Sequence, residues 1–318
     1  MSEQPSRLFV TLAILGGIIA VSTSSIFIRF ANKEAPSLVI AAYRLTFAII
    51  ILAPLALSRY RTEILALTRR ERLLGLLSGF FLALHFATWI SSLEYTSVAS
   101  SVVLVTTTPL WVALLSPIIL HEPSGKPVMI GMLLALVGGC IVGLSDTCVW
   151  QVNLVCPPIS TFIHGTAFFG DFLALCGALM AAGYIIIGRR LRARMSLVPY
   201  IFVVYGMAAL VLLIILLFSG ELLFDYSPTT YAWFLLLALI PQLLGHSTFN
   251  WALKYLPASL VSVTLLGEPI GSTFLAYIIL KESPTFFKIF GAVFILAGIY
   301  IASIKQGGIA ADEVIVNE

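Results

Sequence analysis

Residues 95–122 read YTSVASSVVLVTTTPLWVALLSPIILHE, and residues 255–282 read YLPASLVSVTLLGEPIGSTFLAYIILKE. The two stretches are one design written twice, 160 residues apart. Tyr95 falls on Tyr255, Pro109 on Pro269, Leu120 on Leu280 and Glu122 on Glu282. The register extends outward, with Thr88 on Thr248, Gly131 on Gly291 and Gly138 on Gly298. Each stretch is an apolar run long enough to cross a bilayer, and each carries a proline near its middle. Proline in a helix interior removes a donor and frees a carbonyl one turn earlier, here that of Val105 or Leu265. The pair therefore predicts two broken transmembrane helices at matching depth, with Pro109 and Pro269 as hinges.

The rest of the chain has the same solvent in mind. Of its 318 residues 60% are hydrophobic and 10% charged, and the mean hydropathy is +1.05, too few polar groups to cover a soluble globule of this size. A helical crossing needs roughly 20 apolar residues, because every backbone N–H and C=O must be satisfied within the segment. Such stretches occur near 8–30, 36–58, 73–92, 97–120, 127–146, 168–188, 197–218, 229–252, 258–280 and 285–304. The expected fold is an all-α membrane protein of ten transmembrane helices. It divides into a first five-helix repeat (7–146), an external linker loop (147–167) and a second five-helix repeat (168–304). The first span is too long for a signal-peptide core of about 7–15 residues and reads as retained.

An odd number of spans per repeat makes the second enter the membrane upside down. Charge placement agrees: Arg59, Arg61, Arg69, Arg70 and Arg72 crowd the loop after span 2, whereas the matching loop after span 7 carries Glu221 and Asp225. Arg189, Arg190, Arg192 and Arg194 crowd the loop after span 6, on the same side as the first cluster. Cytoplasmic loops accumulate Lys and Arg, so the chain is expected in the plasma or inner membrane with both termini cytoplasmic. Topology alone accounts for these arginines, and a net charge of +3 gives no reason to expect nucleic acid as a partner.

Ionisable groups within a span cost about 2.5–3.5 kcal/mol at the bilayer centre, so they mark candidate sites. Arg44 lies in span 2, His85 in span 3, His246 in span 8 and Glu268 in span 9. His85, Thr88, Trp89 and Ser92 share one helical face, as do Gln242, His246 and Asn250. These stripes are expected to face one another across a central cavity, with Tyr43, Phe86, Trp89 and Trp251 as stacking surface; interhelical hydrogen bonding is the alternative use of the same residues. Tyr43, Arg44, His85, Trp89, Gln242, His246, Asn250 and Glu268 form the expected substrate-binding set. Arg44 has the planar fork that binds a carboxylate or phosphate, and equally is placed to pair with Glu268. Glu268 has no acidic twin, since its counterpart is Thr108, and reads as a proton carrier or as half of that pair. Arg29 and Asp171 are expected to pair near the external surface. Glu122 and Glu282 read as gate or capping groups, and several Gly-x-x-x-Gly patterns as close helix packing.

Taken together, Ala42-Tyr43-Arg44-Leu45, Pro109-Leu110, Gly170-Asp171-Phe172-Leu173-Ala174, Gly188-Arg189-Arg190-Leu191 and Gly267-Glu268-Pro269-Ile270 make the chain resemble the EamA-type exporters of the drug/metabolite transporter superfamily. The resemblance implies a carrier of a small organic metabolite, such as an amino acid, working by alternating access with proton coupling or exchange, as a monomer or homodimer, with the lipid bilayer as its other partner. No cofactor and no metal are expected. A membrane enzyme or receptor is the competing class. An enzyme would need a reactive constellation, and no His-Glu-x-x-His, Gly-x-Ser-x-Gly or P-loop is present in the sequence. Cys140 and Cys176 read as inert. Cys148 and Cys156 share the linker, where an oxidising compartment would allow a disulfide; with His164 they lack a fourth ligand for zinc.

Overall fold

A computed structural model describes residues 5–119, 126–145, 149–150, 154–155, 165–256, 258–298 and 300–301. Eight of its helices are long and apolar enough to cross a membrane: α1 (Leu8–Ala31), α2 (Ser37–Arg59), α3 (Arg69–Tyr95), α4 (Val98–Ile119), α6 (Thr166–Arg192), α7 (Leu197–Ser219), α8 (Pro228–Ala252) and α9 (Val261–Leu280). The fifth and tenth positions are held by α5 (Lys126–Ser145) and α10 (Phe286–Gly298), whose apolar stretches are shorter. The sequence reading of ten crossings thus meets eight full-length candidates. A two-rung antiparallel hairpin joins Val149–Trp150 to Leu154–Val155 in the linker. Glu122, Cys148, Cys156 and His164 lie outside the described residues.

Several helices run further than hydropathy implied. Thr68 accepts from the Glu71 N–H while the Glu71 carboxylate accepts from the Thr68 N–H. This capping box starts α3 at Arg69, so three arginines assigned to the preceding loop are helical. Likewise α6 continues through its arginine run to Arg192, which is buried and donates to the carbonyls of Asn250 and Met195. Those arginines close the open carbonyl end of α8.

Contacts at the helix ends fix the direction of each unit. At one face Arg29, ending α1, donates to the Thr96 carbonyl at 2.8 Å, and Gly170, opening α6, sits against Tyr95 and Thr96. At the opposite face Arg189, near the end of α6, donates to the Leu253 carbonyl at 2.7 Å, and Glu63 accepts from the Ser196 N–H that precedes α7. So α1 ends where α6 begins, and the two units run in opposite senses. Arg29 and Arg189 are 160 residues apart, and each ties the first helix of its unit to the carbonyl end of the third.

The crossing of α5 and α10 shows the same inversion. A Cβ built on Gly138 would lie 2.5 Å from the Gly291 carbonyl oxygen, and one on Gly298 would fall on that of Gly131. The 160-residue offset turns one contact into the other, Gly138 corresponding to Gly298 and Gly291 to Gly131, as two antiparallel copies of one helix require. Close backbone approach of this kind supplies dispersion contact where lipid leaves no hydrophobic drive between helices. The main body forms around α3 packed on α6 and α7 packed on α2 and α3.

Gly138→Val forces side-chain atoms into the Gly291 backbone, whereas a Cβ on the neighbouring Gly139 meets only Leu104 Cδ2 at 3.7 Å. We expect Gly138→Val to lower the thermal unfolding midpoint in detergent and broaden the size-exclusion peak, with Gly139→Ala close to wild type. Equal behaviour of the two variants would count against the crossing.

Candidate functional site

Both interrupted helices break where the prolines placed them. α4 is helical over Val98–Val105 and again from Thr108 to Ile119; α9 is helical to Thr264 and again from Gly267. The carbonyl freed by Pro109 belongs to Val105, and Thr108 Oγ1 donates to it at 2.8 Å. In α9 the Leu265 carbonyl instead accepts from the Glu268 N–H at 2.9 Å. One break is closed by a side chain, the other by a tightened turn.

A cavity of about 50 Å³ lies between these breaks, lined by His85 and Trp89 of α3, Val105, Thr106 and Thr108 of α4, Tyr184 of α6, His246 and Asn250 of α8, and Leu265 and Glu268 of α9. Its floor is aromatic, with the His85 and Trp89 rings stacked at 5.8 Å and the two histidines 6.4 Å apart. His85 Nδ1 is 2.9 Å from the Gly177 carbonyl, which fixes the ring against α6. His246 ends a π-helical stretch, Ala238–His246, that contains Pro241. A proline's missing N–H is accommodated by such a widened turn, which re-aims the side chains that follow.

Arg44 is fully buried one layer behind the cavity. Its Nε donates to Gln242 Oε1 at 2.9 Å, its Nη1 to Ser24 Oγ at 2.8 Å, and its guanidinium lies over the Phe86 ring at 4.1 Å. No ion pair joins it to Glu268 among the described residues, so that expected pairing gives way to hydrogen bonds with Ser24 and Gln242. Three buried donors around this layer, Arg44 Nη2, Trp89 Nε1 and Gln242 Nε2, have no hydrogen-bond partner among the described residues.

Of the eight expected residues, His85, Trp89, His246, Asn250 and Glu268 line the cavity together. Gln242 and Arg44 stand behind it. Tyr43 is drawn elsewhere, stacked on Phe234 at 4.7 Å with its hydroxyl donating to the Leu223 carbonyl. Trp251 packs edge-on to Phe9 at 5.7 Å and supplies no stacking surface to the cavity. Ser92 follows the alternative use, sharing a 2.6 Å hydrogen bond with Ser101 of α4, whereas Thr88 bonds back to the Leu84 carbonyl of its own helix. At the rim, Arg29 pairs with Glu282 at 3.4 Å while Asp171 accepts from Thr96, so the expected Arg29–Asp171 pair is corrected. Glu282 also accepts from the Val98 N–H, which makes it a cap on α4.

Tyr184, Thr106 and Thr108 line the cavity and were not singled out in the sequence. Tyr184 donates to Asn250 Oδ1 at 2.7 Å, and Asn250 Nδ2 donates to the Tyr205 hydroxyl at 3.3 Å. Tyr184 falls at the equivalent of Ser24, which in the first unit holds Arg44, a correspondence visible only once the helices are packed.

A profile of the EamA-like transporter family matches residues 8–144 and again 168–304. An uncharacterized transporter of Archaeoglobus fulgidus is 22% identical over 287 residues, covering 89% of this chain and 93% of the relative. The uncharacterized transporter YetK of Bacillus subtilis is 27% identical over 247 residues, covering 76% and 71%. A protein of known crystal structure superposes with a TM-score of 0.64 at 20% identity, covering 94% of this chain and 98% of that one.

Asn250→Leu leaves the buried Tyr184 hydroxyl without its acceptor, which costs about 1–3 kcal/mol. The double variant Tyr184→Phe/Asn250→Leu removes both partners and is expected to recover part of that loss in a thermal unfolding series. Strict additivity of the two single variants would mean that the bond contributes nothing.

Proposed function

The chain belongs to the EamA-like transporter family, and from that premise we propose that it exports a small organic metabolite, an amino acid or a compound of similar size, by alternating access about the cavity between its two units. The family and the relatives are named as transporters, not enzymes, and the chain is a multi-pass membrane protein. The observation that carries the reading is that one cavity lies against the interruptions of both α4 and α9. Irregular backbone at membrane depth is tolerated where it lines such a space, and an interrupted helix bends there at low cost.

Size supports a moving site. Pockets that enclose metabolites measure roughly 300–1,000 Å³, and a cavity of about 50 Å³ admits only a few waters. A substrate therefore needs the units to part, and the hinges at Pro109 and Pro269 are where they do so. Trp89, His85, His246, Asn250 and Glu268 are the proposed contacts, and the unpartnered Trp89 Nε1 is the donor among them that a substrate carboxylate would accept from. Glu268, which has no salt bridge to Arg44, is the proposed proton carrier. α5 and α10 count as the fifth and tenth crossings, and the arginine-bearing face is the cytoplasmic one.

Purified protein in liposomes is expected to show saturable counterflow with at least one amino acid among a panel that also holds sugars and nucleotides, and the same compound should raise the unfolding temperature by mass action. Turnover of a compound without its transfer across the bilayer would defeat the reading. Glu268→Gln is expected to keep counterflow while losing all response to an imposed pH gradient; gradient-driven flux at the wild-type rate in that variant would remove the proton role.

A further inference from the structure

A second concavity, of about 550 Å³, opens to the outside of the bundle between α4, α9 and α10 and owes nothing to the transport reading. Its walls are almost wholly apolar, from Val103, Ile270, Tyr277, Ala292 and Leu296, and Ile270 and Tyr277 are more than half exposed. Apart from Thr273 and the Tyr277 hydroxyl on α9, its polar groups stand at the Glu282 face, where Ser283 and Lys288 lie. Lys288 Nζ donates to Ser97 Oγ at 2.9 Å, and Ser97 is the cap residue of α4; the Lys288 N–H donates to Thr285 Oγ1 at the start of α10. Lys288 and the α10 N-terminus therefore stand at that end, a setting that favours a phosphate, whereas the α4 N-terminus is already capped by Glu282 and Ser97. The nearby acid, Glu282, is already held by Arg29 and by the Val98 N–H.

The dimensions name the occupant. From Lys288 to Leu296 the helix rises about 12 Å, close to the roughly 15 Å of one hydrocarbon leaflet. We propose that this groove is a specific site for one anionic phospholipid, its phosphate at Lys288 and the α10 N-terminus, and one acyl chain lying along α9 and α10 to the level of Pro269. The site is coupled by position to the central cavity. Pro269 lines the groove and Glu268 lines the cavity, so the broken turn of α9 is the wall between them.

The test uses the full chain reconstituted with phosphatidylglycerol, followed by detergent exchange and native mass spectrometry. One phospholipid should survive on the wild type. Ala292→Trp, which fills the groove, should abolish that adduct. Lys288→Gln should weaken it about fivefold, the equivalent of about 1 kcal/mol for one lysine near an anionic headgroup, and Lys288→Arg should restore it. A phosphatidylglycerol carrying a diazirine on its acyl chain should label α9 and α10 between Ile270 and Leu296. Should Ala292→Trp prevent folding, the Lys288→Gln and Lys288→Arg pair and the label position decide. Equal adducts on wild type, Ala292→Trp and Lys288→Gln, or crosslinks in the groove between two copies of the chain, would overturn the proposal.

Discussion

In a hydrocarbon solvent every backbone N–H and C=O has to find its partner inside the protein, and the structure is organised around the few places where a helix cannot meet that demand alone. Pro109 and Pro269 create two of them. The Val105 carbonyl is recovered by the Thr108 hydroxyl and the Leu265 carbonyl by a tightened turn. Helix ends face the same demand at the membrane faces, where Arg29, Arg189 and Arg192 donate to terminal carbonyls and Glu282 accepts from the start of α4. These arginines hold the first and third helices of each unit together.

The residues that keep this scaffold closed repeat between the units, and the polar ones that line the cavity do not. Arg29 with Arg189 and the glycine pairs of α5 and α10 perform the same task twice, as do Thr88 and Thr248, which each bond back to a leucine carbonyl four residues earlier. Around the cavity the twins diverge: Glu268 stands opposite Thr108, Tyr184 opposite Ser24, and Asn250 opposite Ile90. Backbone packing has the same solution in both orientations, so it can be copied. A bound solute lacks twofold symmetry, and a cavity that recognises one has no reason to keep its two halves alike.

The sequence by itself determined the solvent, the duplication and its inversion, and the positions of both helix breaks. Each follows from simple rules: span length from bilayer thickness, inversion from the odd number of spans per repeat, and breaks from the missing proline N–H. It also singled out His85, Trp89, His246, Asn250 and Glu268, which line one cavity, because polar groups in apolar helices stand out at any rotation of the helix.

Only the tertiary structure decided which of the remaining polar and aromatic residues face the cavity. Tyr43 joins Phe234 and Tyr231, Trp251 turns to Phe9, and Arg44 withdraws to Ser24 and Gln242. The reason is physical: lipid tails and a protein interior are equally apolar, so the hydrophobic pattern that orients helices in water says little about which side of a membrane helix turns inward. That choice is made by backbone approach and hydrogen bonds between segments far apart in the chain, such as Arg44 with Gln242 and Tyr184 with Asn250, which appear only once the helices are packed.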